Sequence, residues 1–246
     1  MYIGQWYYVS LWRISGILWR KCYLVWFWDL REYKDEIFSS KLKDYDYGIS
    51  IGINIPDDIV DNLDYGRGRW TYQDAFIGVN NLLNEKSSDI LNIITQKGYE
   101  AVCVDSSYIL PGENFVGEIS HKLVANLAGL GWIGKSALFI NPYYGPRVRW
   151  ATILTNAKFP VENNRIKSRC NSCRLCVDNC PANAFNDVEF DENIPRDSRY
   201  DAKACFGYFQ KLESEGKPPK CGICVKVCPW GLINKDKRIK EDIFSL

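Results

Sequence analysis

The chain has 246 residues, 46% of them hydrophobic and 25% charged, enough for a substantial buried core in one large domain or two modest ones. A formal charge of +1 leaves no broad basic footprint for bulk nucleic acid. Ten cysteines beside a single histidine are the feature that composition leaves unexplained.

The first 28 residues are aromatic-rich, with Trp6, Trp12, Trp19, Trp26 and Trp28. Arg13, Arg20 and Lys21 interrupt them, so no uncharged run reaches the roughly 18 residues of a membrane span. No export signal with an apolar core and a small-residue cleavage site is expected, nor a twin-arginine signal. Residues 1–30 read as an atypical, buried or irregular terminus. Tyr47–Ile55 alternates apolar and small residues as a strand does, and Pro56 stops it. Asp74–Lys97 has helical spacing, with Ser87-Ser88 as a candidate break and Gly98 as a stop. Tyr99–Val104 reads as a short strand ending at Asp105. Ser120 caps a helix over His121–Ala128, which Gly129 ends. Ser136–Asn141 and Val148–Leu154 read as strands joined by the turn-rich residues 142–146. Strands and helices mix without a βαβ rhythm, so the fold class is α+β. A mixed α/β domain of catalytic type over residues 1–160 precedes a ferredoxin-like module over residues 161–246.

Eight cysteines follow residue 169. Cys170, Cys173, Cys176 and Cys180, followed by Pro181, match the C-x2-C-x2-C-x3-C-P run of bacterial ferredoxins. Cys221, Cys224 and Cys228, followed by Pro229, look like a second run whose missing member lies upstream, and Cys205 is the free cysteine nearby. In such a pair the fourth cysteine of each run crosses to the neighbouring cluster. One [4Fe–4S] cluster is therefore assigned to Cys170, Cys173, Cys176 and Cys228, the other to Cys205, Cys221, Cys224 and Cys180. A pair of zinc sites is the competing reading, because C-x2-C pairs also build zinc ribbons. The third cysteine at x2 and the x3-Cys-Pro tail, present twice, favour the clusters. Thiolates kept for metal imply a reducing, cytoplasmic compartment.

Gly129-Leu-Gly131-Trp132-Ile-Gly134-Lys135-Ser136 satisfies both G-x-G-x-x-G and G-x4-G-K-[ST]. A phosphate loop needs a strand before it and a helix after it, and here that order is reversed. No acidic residue follows at the spacing that would hold a ribose.

The stretch His121-Lys-Leu-Val-Ala-Asn-Leu-Ala-Gly-Leu-Gly-Trp-Ile-Gly-Lys-Ser136, then Pro146-Arg-Val-Arg-Trp-Ala-Thr-Ile-Leu-Thr155, closely resembles the epoxyqueuosine reductase family. It resembles the cobalamin-dependent reductive dehalogenases more distantly. The likeness runs from about Tyr47 to Leu232. It implies an iron–sulfur oxidoreductase whose core domain binds cobalamin, reduced through the two clusters, with a small or tRNA-borne substrate. An electron donor such as a flavodoxin or ferredoxin is the implied partner. Val104-Asp105-Ser106 resembles the family's segment with the proposed proton donor, Asp105; a strand-end turn or cap is the alternative for this residue. Gly129, Gly131, Trp132, Gly134 and Lys135 are expected near the cofactor, their glycines allowing close backbone approach. A cap and tight turn serving only the fold is compatible with that. The competing functions are a non-catalytic electron carrier or redox subunit, and an NTPase built on Gly129–Ser136.

His121, the one histidine, reads as a satisfied structural residue, and it precludes a two-histidine metal site within the chain. Arg147 and Arg149 share one strand face and read as solvated charges, with anion binding as the alternative. Tyr72 and Tyr108 are pocket candidates. Cys22 and Cys103 read as small apolar residues.

Overall fold

The computed structural model describes residues 23–31, 42, 44–64, 67–107, 115, 117–159 and 165–236, and residues 23–26 by their backbone only. Cys22 and Tyr108 lie outside the described residues. In chain order the elements are β1 (Tyr23–Asp29), β2 (Tyr47–Asn54), α1 (Asp57–Asp61), α2 (Gly68–Gln96), β3 (Ala101–Val104), α3 (His121–Leu127), β4 (Trp132–Ile133), β5 (Phe139–Ile140) and β6 (Val148–Thr155). The cysteine-bearing segment adds α4 (Leu175–Asp178), α5 (Arg196–Arg199), α6 (Ala202–Ser214), α7 (Ile223–Lys226) and a 3-10 turn at Pro229–Gly231.

Four strands form one sheet in the order β1-β2-β6-β3, each neighbouring pair antiparallel. Its faces are both covered, which explains the alternation of large and small residues in β2. Ile49, Ile51 and Ile53 point to the face packed by α1 and α2, together with Ala151 and Ile153 of β6. Gly48, Ser50 and Gly52 point to the other face. There the rings and methyls of Trp150, Leu30 and Val124 occupy the space that larger residues would need. Trp28, Val148, Trp150 and Leu154 share that second core with Leu123, Val124 and Leu127 of α3. The fold is α+β.

Helix ends follow local chemistry. Ser120 Oγ accepts from Leu123 N at 3.3 Å, and Asp201 Oδ1 accepts from Ala204 N at 2.8 Å, each satisfying one orphan N–H. α2 and α3 both close with paired 6→1 and 5→2 bonds, Tyr99 N to Ile94 O with Gly98 N to Thr95 O, and Leu130 N to Ala125 O with Gly129 N to Asn126 O.

Several expectations need correction. The candidate break at Ser87-Ser88 is absent: α2 runs unbroken for 29 residues and starts six residues earlier than the spacing suggested. Ser87 is buried, and Ser88 Oγ bonds back to Asn84 O, a bond a helix accommodates. The strand read over Ser136–Asn141 contracts to Phe139–Ile140. Gly134 N bonds Leu138 O and Ala137 N bonds Gly134 O, so residues 134–138 are a tight turn, and Trp132–Ile133 is the partner strand. Residues 23–29, read as an irregular terminus, form strand β1 on the edge of the sheet.

Candidate iron–sulfur site and its surroundings

Short elements carry the cysteines. Cys176 sits in α4, Cys224 in α7 and Cys205 in α6, while Cys228 leads into the 3-10 turn that Pro229 begins. The thiols fall into two neighbourhoods. Cys228 has Cys170, Cys176 and Cys173 as its electrostatic neighbours, and Cys176 has Cys170 and Cys173. Cys205 has Cys180 and Cys221, and Cys224 has Cys221, Cys205 and Cys180. Cys224 also feels Cys176, so the two groups adjoin.

Burial dominates the chemistry of these sulfurs. It pushes Cys176 up to about 11 and Cys228 up to about 12, and it raises Cys205, Cys221 and Cys224 as well. Buried thiols gathered in fours are costly to ionise in water-poor surroundings unless a cation replaces the protons. That is the donor chemistry an iron–sulfur cluster uses. Backbone N–H groups already point at several sulfurs: Ala184 N lies 3.4 Å from Cys180 Sγ, Ile223 N serves Cys221 and Trp230 N serves Cys228. Among the described residues no three His, Cys, Asp or Glu side chains close around a single-ion position.

Each group is seated against a different part of the sheet domain. The Cys170 loop abuts the β4–β5 hairpin, where a Cβ on Gly134 would stand 3.3 Å from Cys170 Sγ. Trp230 packs edge-on against Trp132, ring centroids 4.7 Å apart, which brings the Cys228 turn to the same hairpin. The second group meets α2. Gly222, at φ +72°, lies so close to Tyr72 that a Cβ there would fall 2.6 Å from the ring. Tyr72 is thus a buried wall behind Cys221 and Cys224, and burial raises its hydroxyl. It is core rather than pocket lining.

Lys135 is only 7% exposed. Its ammonium donates to Asn171 O at 2.6 Å and Cys173 O at 3.4 Å and pairs with Asp187 at 2.9 Å. Helix α3 precedes this element and the β4–β5 hairpin, not a helix, follows it, and the lysine is already engaged, which counts against the NTPase reading. The glycines approach protein, Gly131 meeting the Ile140 backbone and Gly134 the Cys170 sulfur.

Asp105 is exposed at the end of β3. Its Oδ2 accepts from Asn84 Nδ2 at 2.9 Å, and its Oδ1 accepts from Ser107 N at 2.7 Å and Ser107 Oγ at 3.0 Å. His121 stands behind it, with Nε2 3.1 Å from Asp105 O and Nδ1 2.9 Å from Thr152 Oγ1. A carbonyl only accepts, so Nε2 carries the proton and Nδ1 accepts from the threonine. Burial lowers the imidazole to about 4, which keeps it neutral. The structural reading of His121 is the one the geometry supports.

The arginines overturn the solvated reading. Arg147 is 1% exposed and pairs with Asp57 at 2.6 Å and Asp61 at 2.7 Å. Arg149 is largely buried, bonding Asn80 Oδ1 at 3.0 Å and Ser106 O at 3.4 Å, with its guanidinium 4.1 Å from the Phe76 ring centre. Lys220 faces the same ring at 5.0 Å. Lys122 donates to Ala137 O, and burial, then Arg149, Arg196 and Arg199, lower it to about 8. Among the described residues Arg149, Lys122 and Lys220 have no carboxylate partner. Sequence spacing carried no signal for this group, because its members come from β6, α3 and the chain before Cys221. Cys103 behaves as the apolar residue expected, burial raising it to about 11.

Residues 169–231 match the family described as the 4Fe-4S double cluster binding domain. An epoxyqueuosine reductase of Bacillus anthracis is 30% identical over 125 residues, covering 46% of this chain and 30% of that protein. One of Lactococcus garvieae is 26% identical over 197 residues, 74% of this chain and 51% of the relative. The chain resembles the epoxyqueuosine reductases. Its matched stretch spans about a third to a half of these relatives. Among solved structures, a catabolic reductive dehalogenase in complex with 3-bromo-4-hydroxybenzoic acid superposes with TM-score 0.66 at 19% identity, covering 90% of this chain and 32% of the other. An epoxyqueuosine reductase with an epoxyqueuosine-modified tRNA-Tyr stem loop gives TM-score 0.56 at 18% identity, over 85% and 61% of the two chains. The resemblance in sequence and the shared fold meet the expectation set by the AGLGWIGK element and the paired cysteine runs.

Proposed function

We propose that this chain is an iron–sulfur oxidoreductase of the epoxyqueuosine reductase kind, a sheet domain over residues 1–160 fused to a ferredoxin-like double-cluster module over 161–246. In this reading Cys170, Cys173, Cys176 and Cys228 hold the first [4Fe–4S] cluster, and Cys180, Cys205, Cys221 and Cys224 hold the second. The observation that carries it is the division of the eight thiols into two adjoining neighbourhoods, inside the segment that matches the double-cluster domain.

A run of neighbouring groups, the first pair linked through charge alone, leads from the second cysteine group toward Asp105. It passes from Cys205 to Lys220, across Phe76 to Arg149, and from Arg149 to Ser106. Along it lie two cations that have no carboxylate partner among the described residues, Lys220 and Arg149, and the Ser106 hydroxyl, which is buried without a partner. A polar ligand with anionic groups would complete these groups, which fits cobalamin. Arg149, Lys220 and Ser106 would border it. When bound, cobalamin supplies a low-potential cobalt centre at which a substrate is reduced. Asp105, held by Asn84 and Ser107 and open to solvent, is the proposed proton donor. Neutral His121 fixes the backbone at Asp105 without competing for the proton. The relative with a bound tRNA stem loop supports a tRNA-borne substrate, and the dehalogenase fold supports a small one. A flavodoxin or ferredoxin is the proposed donor and the cytoplasm the proposed site of action. No described helix is long and apolar enough to cross a membrane.

Anaerobic purification followed by iron, sulfide and corrinoid analysis tests this reading. Eight irons, four per cluster, with retained corrinoid are expected; eight irons without corrinoid uptake would make the chain an electron carrier. With an epoxyqueuosine-bearing stem loop as substrate, Asp105→Asn should keep both clusters and the corrinoid. Turnover should fall about a hundredfold or more, as for loss of a general acid. Unchanged turnover removes Asp105 from the mechanism.

A further inference from the structure

The glycine–lysine element is a sequence feature to which the proposed reaction gives no task. Its lysine is turned into the loop between Cys170 and Cys173. Asn171, inside that loop, has φ +45°, the left-handed region that asparagine enters more readily than most side-chain-bearing residues, and this turn aims its carbonyl at the lysine. The Lys135 ammonium takes the Asn171 carbonyl at 2.6 Å and the Cys173 carbonyl at 3.4 Å. The neighbouring Gly134 leaves room for Cys170 Sγ. Two consecutive residues thus address the same loop, one accommodating its first sulfur and the other fastening its carbonyls. Asp187, from beyond the run, pairs with Lys135 and with Arg174, which lies between Cys173 and Cys176. A buried ammonium between two carbonyls and a carboxylate has no donor left to offer a phosphate.

We propose that Lys135 is a positioning residue of the first cluster: it locks the Cys170–Cys173 loop in its ligating conformation and places a fixed positive charge beside the cluster, raising its reduction potential. The proposal rests on the cluster reading of these cysteines. Reduction adds negative charge to a cluster already bound by four thiolates, and a desolvated ammonium nearby stabilises the more negative form. Asp187 offsets part of that charge while orienting the ammonium. Such outer partners of metal ligands govern affinity as well as potential.

The test uses anaerobically purified holoprotein, with iron release to a chelator and EPR-monitored redox titration as readouts. Wild-type protein lacking eight irons would defeat the cluster reading itself, and this proposal with it. Given eight, Lys135→Met should release four of them about ten to a hundred times faster than wild type, with the other four unchanged. The potential of its first cluster should drop. Asp187→Asn keeps the ammonium and should shift that potential upward. Opposite shifts in the two variants are not produced by general loosening. In a Cys173→Ser chain deprived of the first cluster, Lys135→Met should leave release from the second unaltered. Wild-type release and potentials in Lys135→Met, or shifts of the same sign in both variants, overturn the proposal. Should Lys135→Met fail to accumulate, an unshifted potential in Asp187→Asn overturns it.

Discussion

In the sheet domain, Ile49, Ile51, Ile153 and Leu154 are essentially sealed from solvent, and apolar cores lie on both faces of β2 and β6. Between residues 165 and 236 the buried apolar side chains come down to Ala184, Phe185, Ala202, Leu212, Pro218 and Val225, while Leu175 and Phe206 stand exposed. The elements there are mostly single turns. The sheet gains its stability from area removed from water. The cysteine segment has too little such area and depends on what its sulfurs hold, and on its anchors to the sheet domain.

Removing iron is the severest way to press that difference. Chelation should abolish amide protection across residues 170–230 and leave β2 and β6 protected, since a structural metal site contributes on the order of 10 kcal/mol to the fold it closes. Hydrogen exchange followed by mass spectrometry reads this directly. A cysteine segment that stays protected without iron would mean that the two regions are held by the same forces after all.

Arg147 tests the seam between them. Its guanidinium joins the entry of β6 to Asp57 and Asp61 of α1, and it lies against Gly231 in the cysteine segment. Lys235 pairs with the same Asp61. Arg147→Met should cost about 3–5 kcal/mol, because the carboxylates are left without their buried partner, and thermal unfolding under anaerobic conditions measures it. At Asp61, burial works to raise the carboxyl, but Lys235 and Arg147 outweigh it and the net direction is downward. A lowered carboxyl stabilises the fold above its unfolded pKa, and that share is lost as pH falls through the folded value. Arg147→Met should therefore flatten the acid side of the stability profile. A full acid-side loss in the variant would show that Lys235 alone sets the shift.

The smallest expected effect lies within the sheet domain. His121 is held near 4, below its unfolded value of about 6.5, so the unfolded chain binds the extra proton first. Stability from this group is complete above pH 6.5 and declines as pH falls toward 4, by on the order of 2–3 kcal/mol. The chain has one histidine, so a single imidazole resonance reports it. Titration of that resonance near 6.5 would refute the buried, neutral assignment.

How much could be read beforehand differed by region in the same way. The first cysteine run was legible because its spacing, C-x2-C-x2-C-x3-C-P, is local and complete within a dozen residues. The regular pattern of β2 was legible because both of its faces are packed. β1 was not, since its tryptophans sit among charges without a clear period. Arg149 lies on β6, whereas Arg147 stands just before it. Their environment was misread because only the return of α1 and α2 buries them. The stretch from Gly129 to Ser136 spells a phosphate loop letter for letter, yet its surroundings turn Lys135 toward the backbone of the cysteine loop.

From its sequence alone this protein has its ligand spacing, its helix caps and the alternation of its central strands, all of which are set by neighbours within a few residues. Only the folded chain decides which part of the sheet domain each cysteine group is seated against, which cations share Phe76, and whether Lys135 meets a phosphate or a cysteine loop. Those outcomes depend on contacts between residues many tens of positions apart, and burial there changes what a charged side chain does.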